Sequence, residues 1–291
     1  MADQSATGYD LVASHFTLTG AGFGEPPRYS FVERCRAAST AGFGGIGLHV
    51  DDLPRTLASG LTVADMRAVL ADNGLRVVEI EFLGGWAVGT DPGVLERTVA
   101  GIEAVADAFG GRHVSAGEFR GDVRLAEDAP ARLDALAQRL GRRGLRVAVE
   151  GFPWSVLAGP TTIAGLLGRT REPNLGQLVD VWHFFNNGGD PASLTGPIAA
   201  FQLNDGPRVH DDYLVHARTS RRLPGTGDLD VTALIRAAVS AGFAGPWCVE
   251  VNTPQLRALP VNEIARRAAD SATAALAAAG VAGGGRGSLR P

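Results

Sequence analysis

Short apolar runs alternate with longer amphipathic stretches along most of the chain, from Leu11 to Gly280. The apolar runs are rich in β-branched and aromatic residues, which predicts strands; the stretches between them repeat apolar positions every three to four residues, which predicts helices. The predicted strands are Leu11–Leu18, Gly45–Val50, Arg76–Phe82, His113–Phe119, Arg146–Phe152, Gly176–Phe184, Ile198–Asn204 and Trp247–Asn252. The predicted helices are Phe31–Ala41, Thr62–Asn73, Pro92–Phe109, Ala126–Arg143, Thr161–Thr170, Val231–Ala241 and Val261–Ala279. The sixth connection, around Asp190–Gly196, is short and only weakly helical.

The strand and helix pattern occurs eight times, which predicts an α/β fold, a (β/α)8 TIM barrel in one domain over residues 11–279. About 250 residues is the usual size of such a barrel. Several helices are followed by a glycine that suits a left-handed cap and then by an apolar residue, at Gly42, Gly74, Gly144 and Gly242. A doubly wound sheet is the alternative, but no GxGxxG opens the first helix. Residues 1–10 and 280–291 are predicted to be flexible tails.

Four successive strands end in polar side chains, and these are the candidate chemistry. By the two-residue alternation of a strand, Glu150, Asp180, Gln202 and Glu250 all face the barrel axis. In such a barrel the reacting groups stand at these carboxyl ends. Three crowded carboxylates repel one another unless a cation holds them. A set of carboxylate and amide oxygens suits Mn²⁺, Mg²⁺ or Co²⁺, so the pattern predicts one divalent metal ion.

Composition excludes several functions. The chain has 27 basic and 31 acidic residues, and every basic one is arginine. Because there is no lysine, a Schiff-base aldolase, a pyridoxal-phosphate enzyme and a Walker-type phosphate loop are excluded. The sequence has no basic run of the kind that binds nucleic acid, so no nucleic-acid partner is expected. It has neither a long apolar run nor a signal-like start, so no membrane association is expected. Two cysteines make no disulfide framework, so we expect a cytoplasmic protein. Homo-oligomerisation stays open.

Five segments of the chain carry a resemblance to a known superfamily. They are Val149–Gly151, Asp180–Phe185, Phe201–Gly206, Arg222–Asp228 and Val249–Val251. The sequence resembles the xylose isomerase-like, sugar phosphate isomerase/epimerase superfamily of TIM barrels over nearly its whole length. The resemblance implies that Glu150, Asp180, Gln202 and Glu250 bind the metal, with Glu150 and Glu250 also acting as acid/base groups. It further implies that His183 and Arg222 bind substrate oxygens.

Other residues near strand ends are candidate substrate contacts. Glu81 and His49 lie at the ends of the third and second strands, Trp182 could wall a pocket, and Asn204 faces inward on the seventh strand. The long polar connection from Gly206 to Asp230 is predicted to be a lid, with hinge freedom at Gly225 and Gly227.

The function expected first is a metal-dependent isomerase or epimerase that acts on a small polyhydroxylated carbonyl compound through an enediolate. Gln202 departs from the histidine of many ketose epimerases and is similar to 3-dehydroshikimate dehydratases. A dehydratase of an inosose or of 3-dehydroshikimate is therefore the alternative. A non-catalytic binding barrel and a superfamily endonuclease are weaker alternatives, because the acid and amide set is intact and no basic groove is visible.

Overall fold

The structure is a computed structural model that describes residues 9–89 and 91–283. Within them, eight parallel strands close into a barrel in sequence order, with β1 paired to β8, and this confirms the predicted fold. The strands are β1 Leu11–Ala13, β2 Gly45–His49, β3 Arg76–Leu83, β4 His113–Ala116, β5 Arg146–Val149, β6 Leu175–Asp180, β7 Ile198–Leu203 and β8 Trp247–Val249. No helix in these ranges is long and apolar enough to cross a membrane.

Twelve helices occur in the described residues. They are α1 His15–Leu18, α2 Phe31–Thr40, α3 Asp52–Ala58, α4 Val63–Asp72, α5 Pro92–Phe109, α6 Ala129–Gly141, α7 Pro160–Leu167, α8 Val181–Asn186, α9 Tyr213–Thr219, α10 Val231–Ser240, α11 Pro254–Arg257 and α12 Val261–Ala278. A short 3₁₀ turn, Pro191–Ser193, occupies the weak sixth connection. Ser30 and Thr62 cap α2 and α4 through reciprocal hydrogen bonds with the residue three positions on. The four predicted cap glycines all have positive φ.

Two predicted strands run into helices at their carboxyl ends, and three others, β4, β5 and β8, end three residues earlier than predicted. The first stops at Ala13, because Ser14–Leu18 turns across the barrel mouth, where the Thr17 hydroxyl donates to the Val249 carbonyl at 2.9 Å. The sixth stops at Asp180, whose carboxylate accepts the His183 backbone N–H at 2.8 Å and so caps α8. A short apolar run fits a buried strand or a buried helix equally well, which is why sequence periodicity misassigned Val181–Phe184.

The inside of the barrel is filled by small and medium side chains. Ala148, Leu178 and Ala200 form one interior cluster, together with Ala199, and Val12, Val78 and Cys248 form another. The larger apolar core lies between the strands and the surrounding helices. Because the interior is packed, the space for a ligand lies at the carboxyl ends of the strands.

Parts of the predicted tails are described. The Tyr9 hydroxyl donates to the Val281 carbonyl at 3.1 Å, and Asp10 pairs with Arg76. Residues 1–8 and 284–291 lie outside the described ranges, so the predicted flexibility of the tails stays a prediction.

Candidate active site

Strands β5 to β8 bring the four predicted metal ligands together at one end of the barrel. Glu150 follows β5, Asp180 ends β6, Gln202 lies near the end of β7, and Glu250 follows β8. All four side chains are buried. Asp180 is the register partner of Gln202 across the β6–β7 pair, which keeps these two side chains at the same level of the barrel.

Asp180 is held by donors on three sides. Its Oδ1 accepts the backbone N–H of His183, and its Oδ2 accepts Asn204 Nδ2 at 2.6 Å and Arg221 Nη1 at 2.7 Å. Burial opposes ionisation of this carboxyl, but the Arg221 charge and the polar contacts of His183 outweigh it and hold the pKa of Asp180 below its usual value. Asp180 is therefore an oriented anion.

Arg221 lies in the middle of the carboxylate cluster. Its Nη1 lies 2.7 Å from Asp180 and 3.0 Å from Glu250 Oε2, so one nitrogen joins the two carboxylates. Its Nη2 is 2.6 Å from Nε2 of His183. Because a guanidinium only donates, Nε2 accepts and the neutral ring carries its proton on Nδ1. Burial lowers the pKa of His183 to about 3, so the ring is neutral at pH 7.

Crowding and burial raise the pKa values of Glu150 and Glu250. Burial raises the pKa of Glu150 well above its usual value, and the neighbouring Glu250 and Asp180 carboxylates raise it further. Burial likewise raises the pKa of Glu250 to about 8, although Arg221 opposes the shift. Three buried acids share one arginine, so the cluster is short of positive charge.

The donor set fits a divalent cation. Glu150, Asp180 and His183 each offer one ligand atom, and these atoms all lie within 4.8 Å of one another. Gln202 donates its Nε2 to Glu79 at 3.0 Å, while its buried Oε1 has no hydrogen-bond partner in the described structure. An amide oxygen left free beside buried carboxylates is a suitable ligand for Mg²⁺ or Mn²⁺. This cluster includes His183, for which the resemblance implies a substrate-binding role.

A cavity of about 300 Å³ opens above these residues and has an aromatic wall. The rings of Phe119 and Phe152 stack at 4.9 Å and 9°, and those of Phe152 and Trp154 at 5.1 Å and 10°. Phe16 and Phe23 contribute a second aromatic pair, with centroids 4.4 Å apart. The cavity is therefore a slot with flat apolar walls and an acidic floor.

The structure places the predicted site residues unequally. Six of them line the cavity, namely Glu150, His183, Gln202, Glu250, Glu81 and His49. Trp182 and Asn204 are fully buried outside its lining, where Asn204 Oδ1 accepts the Trp182 backbone N–H at 2.8 Å. Asn204 thus orients Asp180 and α8, and neither residue is placed to contact a ligand in the cavity.

Arg222 lies outside the cavity, whereas the adjacent Arg221 lines it. The Arg222 side chain is half exposed and its closest acidic partner is Asp228, at 3.8 Å. The backbone of Arg222 forms an antiparallel bridge with Asp205, which turns the adjacent Arg221 side chain inward. Two adjacent arginines give no sequence signal for which one faces the site, because a loop has no fixed side-chain alternation.

The long connection after β7 contributes part of the cavity. Its helix α9 supplies Leu214, Ala217 and Arg218 to the lining. The predicted hinge at Gly227 is held, because its backbone N–H donates to the buried Asp205 carboxylate at 2.8 Å. Whether the segment moves as a lid stays a prediction. The sequence interpretation missed Arg218, Arg221 and most of the aromatic wall.

The model of the xylose isomerase-like TIM barrel family matches residues 35–275. The chain belongs to this family. A 3-dehydroshikimate dehydratase of Pseudomonas aeruginosa is 29% identical over 250 residues, which cover 78% of this chain and 37% of that protein. A putative hydroxypyruvate isomerase of Streptomyces coelicolor is 25% identical over 242 residues, which cover 74% of this chain and 82% of that protein.

A solved structure, that of the IOLI protein with a bound zinc atom, superposes with a TM-score of 0.81 at 16% identity. The match covers 92% of this chain and 98% of that one, and it shows that the two share a fold. The chain thus spans little more than a third of the Pseudomonas dehydratase but most of the two other proteins.

Proposed function

We propose that this barrel is a divalent-metal-dependent lyase that removes water from a cyclic hydroxylated carbonyl compound of the 3-dehydroshikimate class. The proposal rests on the two sides of one cavity. Its floor is a cluster of carboxylates beside the Gln202 oxygen that has no hydrogen-bond partner, and its wall is a set of stacked aromatic rings. The Pseudomonas relative is named for this reaction. Glutamine at position 202 is also the feature of the sequence that is similar to such dehydratases.

Glu150, Asp180, Gln202 and Glu250 would hold the metal; His183 lies within 4.8 Å of Glu150 and Asp180, and its Nε2 accepts from Arg221. A bound divalent cation supplies positive charge that polarises a substrate carbonyl and stabilises the negative charge that develops on its oxygen. Either Glu150 or Glu250 removes the α-proton, because both line the cavity and a bound cation would offset the burial that raises their pKa values. Arg221, which lies among them, binds a substrate oxygen, the role that the resemblance implies for Arg222.

The aromatic wall favours a ring over an open-chain sugar. An extended ketose would place several hydroxyl groups against Phe119, Phe152 and Trp154, where they find no hydrogen-bond partner. A six-membered ring that loses water becomes flatter and more conjugated, and it stacks better on these faces. Arg218, on the rim of the cavity, can pair with a substrate carboxylate.

An isomerase or epimerase is the second candidate. Glu150 and Glu250 are two carboxyl groups on different strands, so one can take a proton and the other return it. The Streptomyces relative, of which this chain covers 82% of the length, is named as an isomerase. Both candidates begin with removal of the same α-proton, and they differ in whether a β-hydroxyl then leaves.

The test is to incubate the metal-loaded protein in D₂O with 3-dehydroshikimate, an inosose, hydroxypyruvate and a ketose, and to follow NMR and ultraviolet spectra. A new conjugated chromophore with loss of water supports the lyase. Deuterium at the α-carbon with an isomer as sole product supports the isomerase instead. No reaction with any compound contradicts both. The Glu250→Gln variant is the matched control, since it should remove the activity while its side chain keeps its size.

A further inference from the structure

A second polar cluster faces the same cavity from the ends of β2 and β3. His49 closes β2, and Glu81 is its register partner on β3. Both line the cavity whose other side is lined by Glu150, Gln202 and Glu250. The mechanism above uses neither His49 nor Glu81, and the departing hydroxyl group still needs a proton from some residue.

Glu81 and Glu79, two positions apart on β3, are both buried but have different partners. Glu79 lies within 3.4 Å of four polar side-chain atoms, those of His113, Ser115, Gln202 and Cys248. Glu81 accepts one hydrogen bond, from the Ser14 hydroxyl to Oε1 at 3.1 Å. Donors stabilise a buried anion, so Glu79 carries the charge and Glu81 carries the proton.

Glu81 lines the cavity, and its two oxygens differ in their partners. Its Oε2 is buried and has no hydrogen-bond partner in the described part of the chain, while Ser14 occupies Oε1. Burial raises the pKa of Glu81 well above its usual value, and the Glu79 and Glu250 carboxylates raise it further. A side-chain hydrogen bond with Glu79 raises the pKa of Glu81 as well, and a neutral carboxylic acid that lines a cavity can donate its proton to a ligand there.

His49 supplies a donor beside it. Its Nδ1 accepts the Asp51 backbone N–H at 3.2 Å, which is closer than the 3.7 Å contact with the Asp51 carboxylate. We therefore assign the proton of the neutral ring to Nε2. The His15 ring packs against His49 with centroids 5.6 Å apart. His15 is itself held by a 2.7 Å contact between its Nδ1 and the Asp52 carboxylate. Arg34 donates hydrogen bonds to the same carboxylate from Nη1 and Nη2.

We propose that Glu81 and His49 bind the hydroxyl group that leaves the substrate and that Glu81 protonates it. This inference rests on the proposed lyase function. The C–O bond breaks with its electron pair on oxygen, the proton of the Glu81 carboxyl group passes to that oxygen, and water forms. The electrons left by the α-proton form the new C=C bond. Glu81 ends as a carboxylate and regains a proton from solvent when the product leaves.

The experiment separates the two halves of the reaction in Glu81→Gln, which keeps the size of the side chain but has no acidic proton. Exchange of the α-proton for deuterium should stay close to the wild-type rate, because it uses only the β5–β8 side. Loss of water should fall about 10²- to 10⁴-fold. His49→Phe keeps a flat ring without the donor, and its water loss should fall about tenfold. The matched control is Glu118→Gln, a buried glutamate outside the cavity lining.

Each outcome decides a different claim. Equal losses of exchange and elimination in Glu81→Gln, or no loss of either, would overturn the role of Glu81 while the lyase stands. No water loss in the wild type would overturn the lyase and this role with it. Infrared spectra give a readout that needs no substrate. The band of a protonated carboxyl should weaken in Glu81→Gln, and an unchanged band contradicts the proton assignment.

Discussion

The two sides of the barrel mouth differ in how their buried charged groups are compensated. The β5–β8 side gathers Glu150, Asp180 and Glu250 around one guanidinium, so a single positive charge is available to compensate three acids in their ionised form. The β1–β3 side pairs Asp52 with Arg34, surrounds Glu79 with polar side chains, and presents His49 and Glu81 to the cavity in neutral form. The first side therefore needs a cation, and the second needs none.

Because of this difference, the two sides suit different steps of a reaction. The charge-rich side suits the step in which an oxygen becomes negative, because a metal bound there compensates the acids and the substrate together. The neutral side suits the handling of a hydroxyl group by hydrogen bonds and proton transfer. The following predictions test whether the two sides are as distinct as their contacts indicate.

Metal removal should have the largest effect, and it should act on the β5–β8 side. EDTA treatment should abolish activity, and Mn²⁺, Mg²⁺ or Co²⁺ should restore it, because the clustered carboxylates need a cation to accept a substrate oxygen. Activity and bound metal are measured together by assay and elemental analysis. Asp180→Asn, which removes one anionic ligand, should weaken binding of the ion. Full activity in a rigorously metal-free sample would contradict the metal site.

Changing Glu150 or Glu250 to Gln should come next. Turnover should fall by orders of magnitude, and by more than the loss of bound metal explains, since either residue can also move a proton. The measurement is kcat at saturating metal, with metal content determined in parallel. Glu127→Gln, on the exposed surface, is the control. If Glu250→Gln keeps near-native turnover, the acid/base assignment is wrong.

Arg221→Gln and Arg222→Gln form a matched pair of adjacent substitutions. In the presence of EDTA, Arg221→Gln should lower the free energy of unfolding by about 3–5 kcal/mol, because it leaves buried carboxylates without their partner. Arg222→Gln should change it by less than about 0.5 kcal/mol, since its side chain is half exposed. Urea unfolding measures both. Equal effects would show that Arg221 does not hold the cluster.

The smallest effect concerns His49, on the neutral side. Burial and the nearby His15 lower the pKa of His49 to about 4, from an unfolded value near 6.5. Between these values the unfolded chain binds the extra proton, so stability falls as the pH falls through this window. His49→Gln should flatten that slope by at most about 1.4 kcal/mol per pH unit. Urea unfolding across the window measures it, and His216→Gln, outside the cavity lining, is the control. An unchanged slope would contradict a half-buried, neutral His49.

The fold and the acidic side of the mouth were within reach of the sequence. Strand periodicity and the repeated order of elements determine the barrel, and the alternation of side chains along a strand aims Glu150, Gln202 and Glu250 into the mouth. These are local rules, and each holds within one strand. The roles of those residues as ligands and acids are still predictions.

What lies in loops and between strands was decided only by tertiary structure. The bridge between Asp205 and Arg222 selects Arg221 as the inward arginine, and the cap made by Asp180 turns a predicted strand into α8. The aromatic slot joins rings such as Phe82 and Trp154, which lie far apart along the chain. Likewise the protonation of Glu81 depends on the donors that other strands give to Glu79. Sequence periodicity describes how one element faces its core, whereas these features depend on distances between elements, which only the closed barrel fixes.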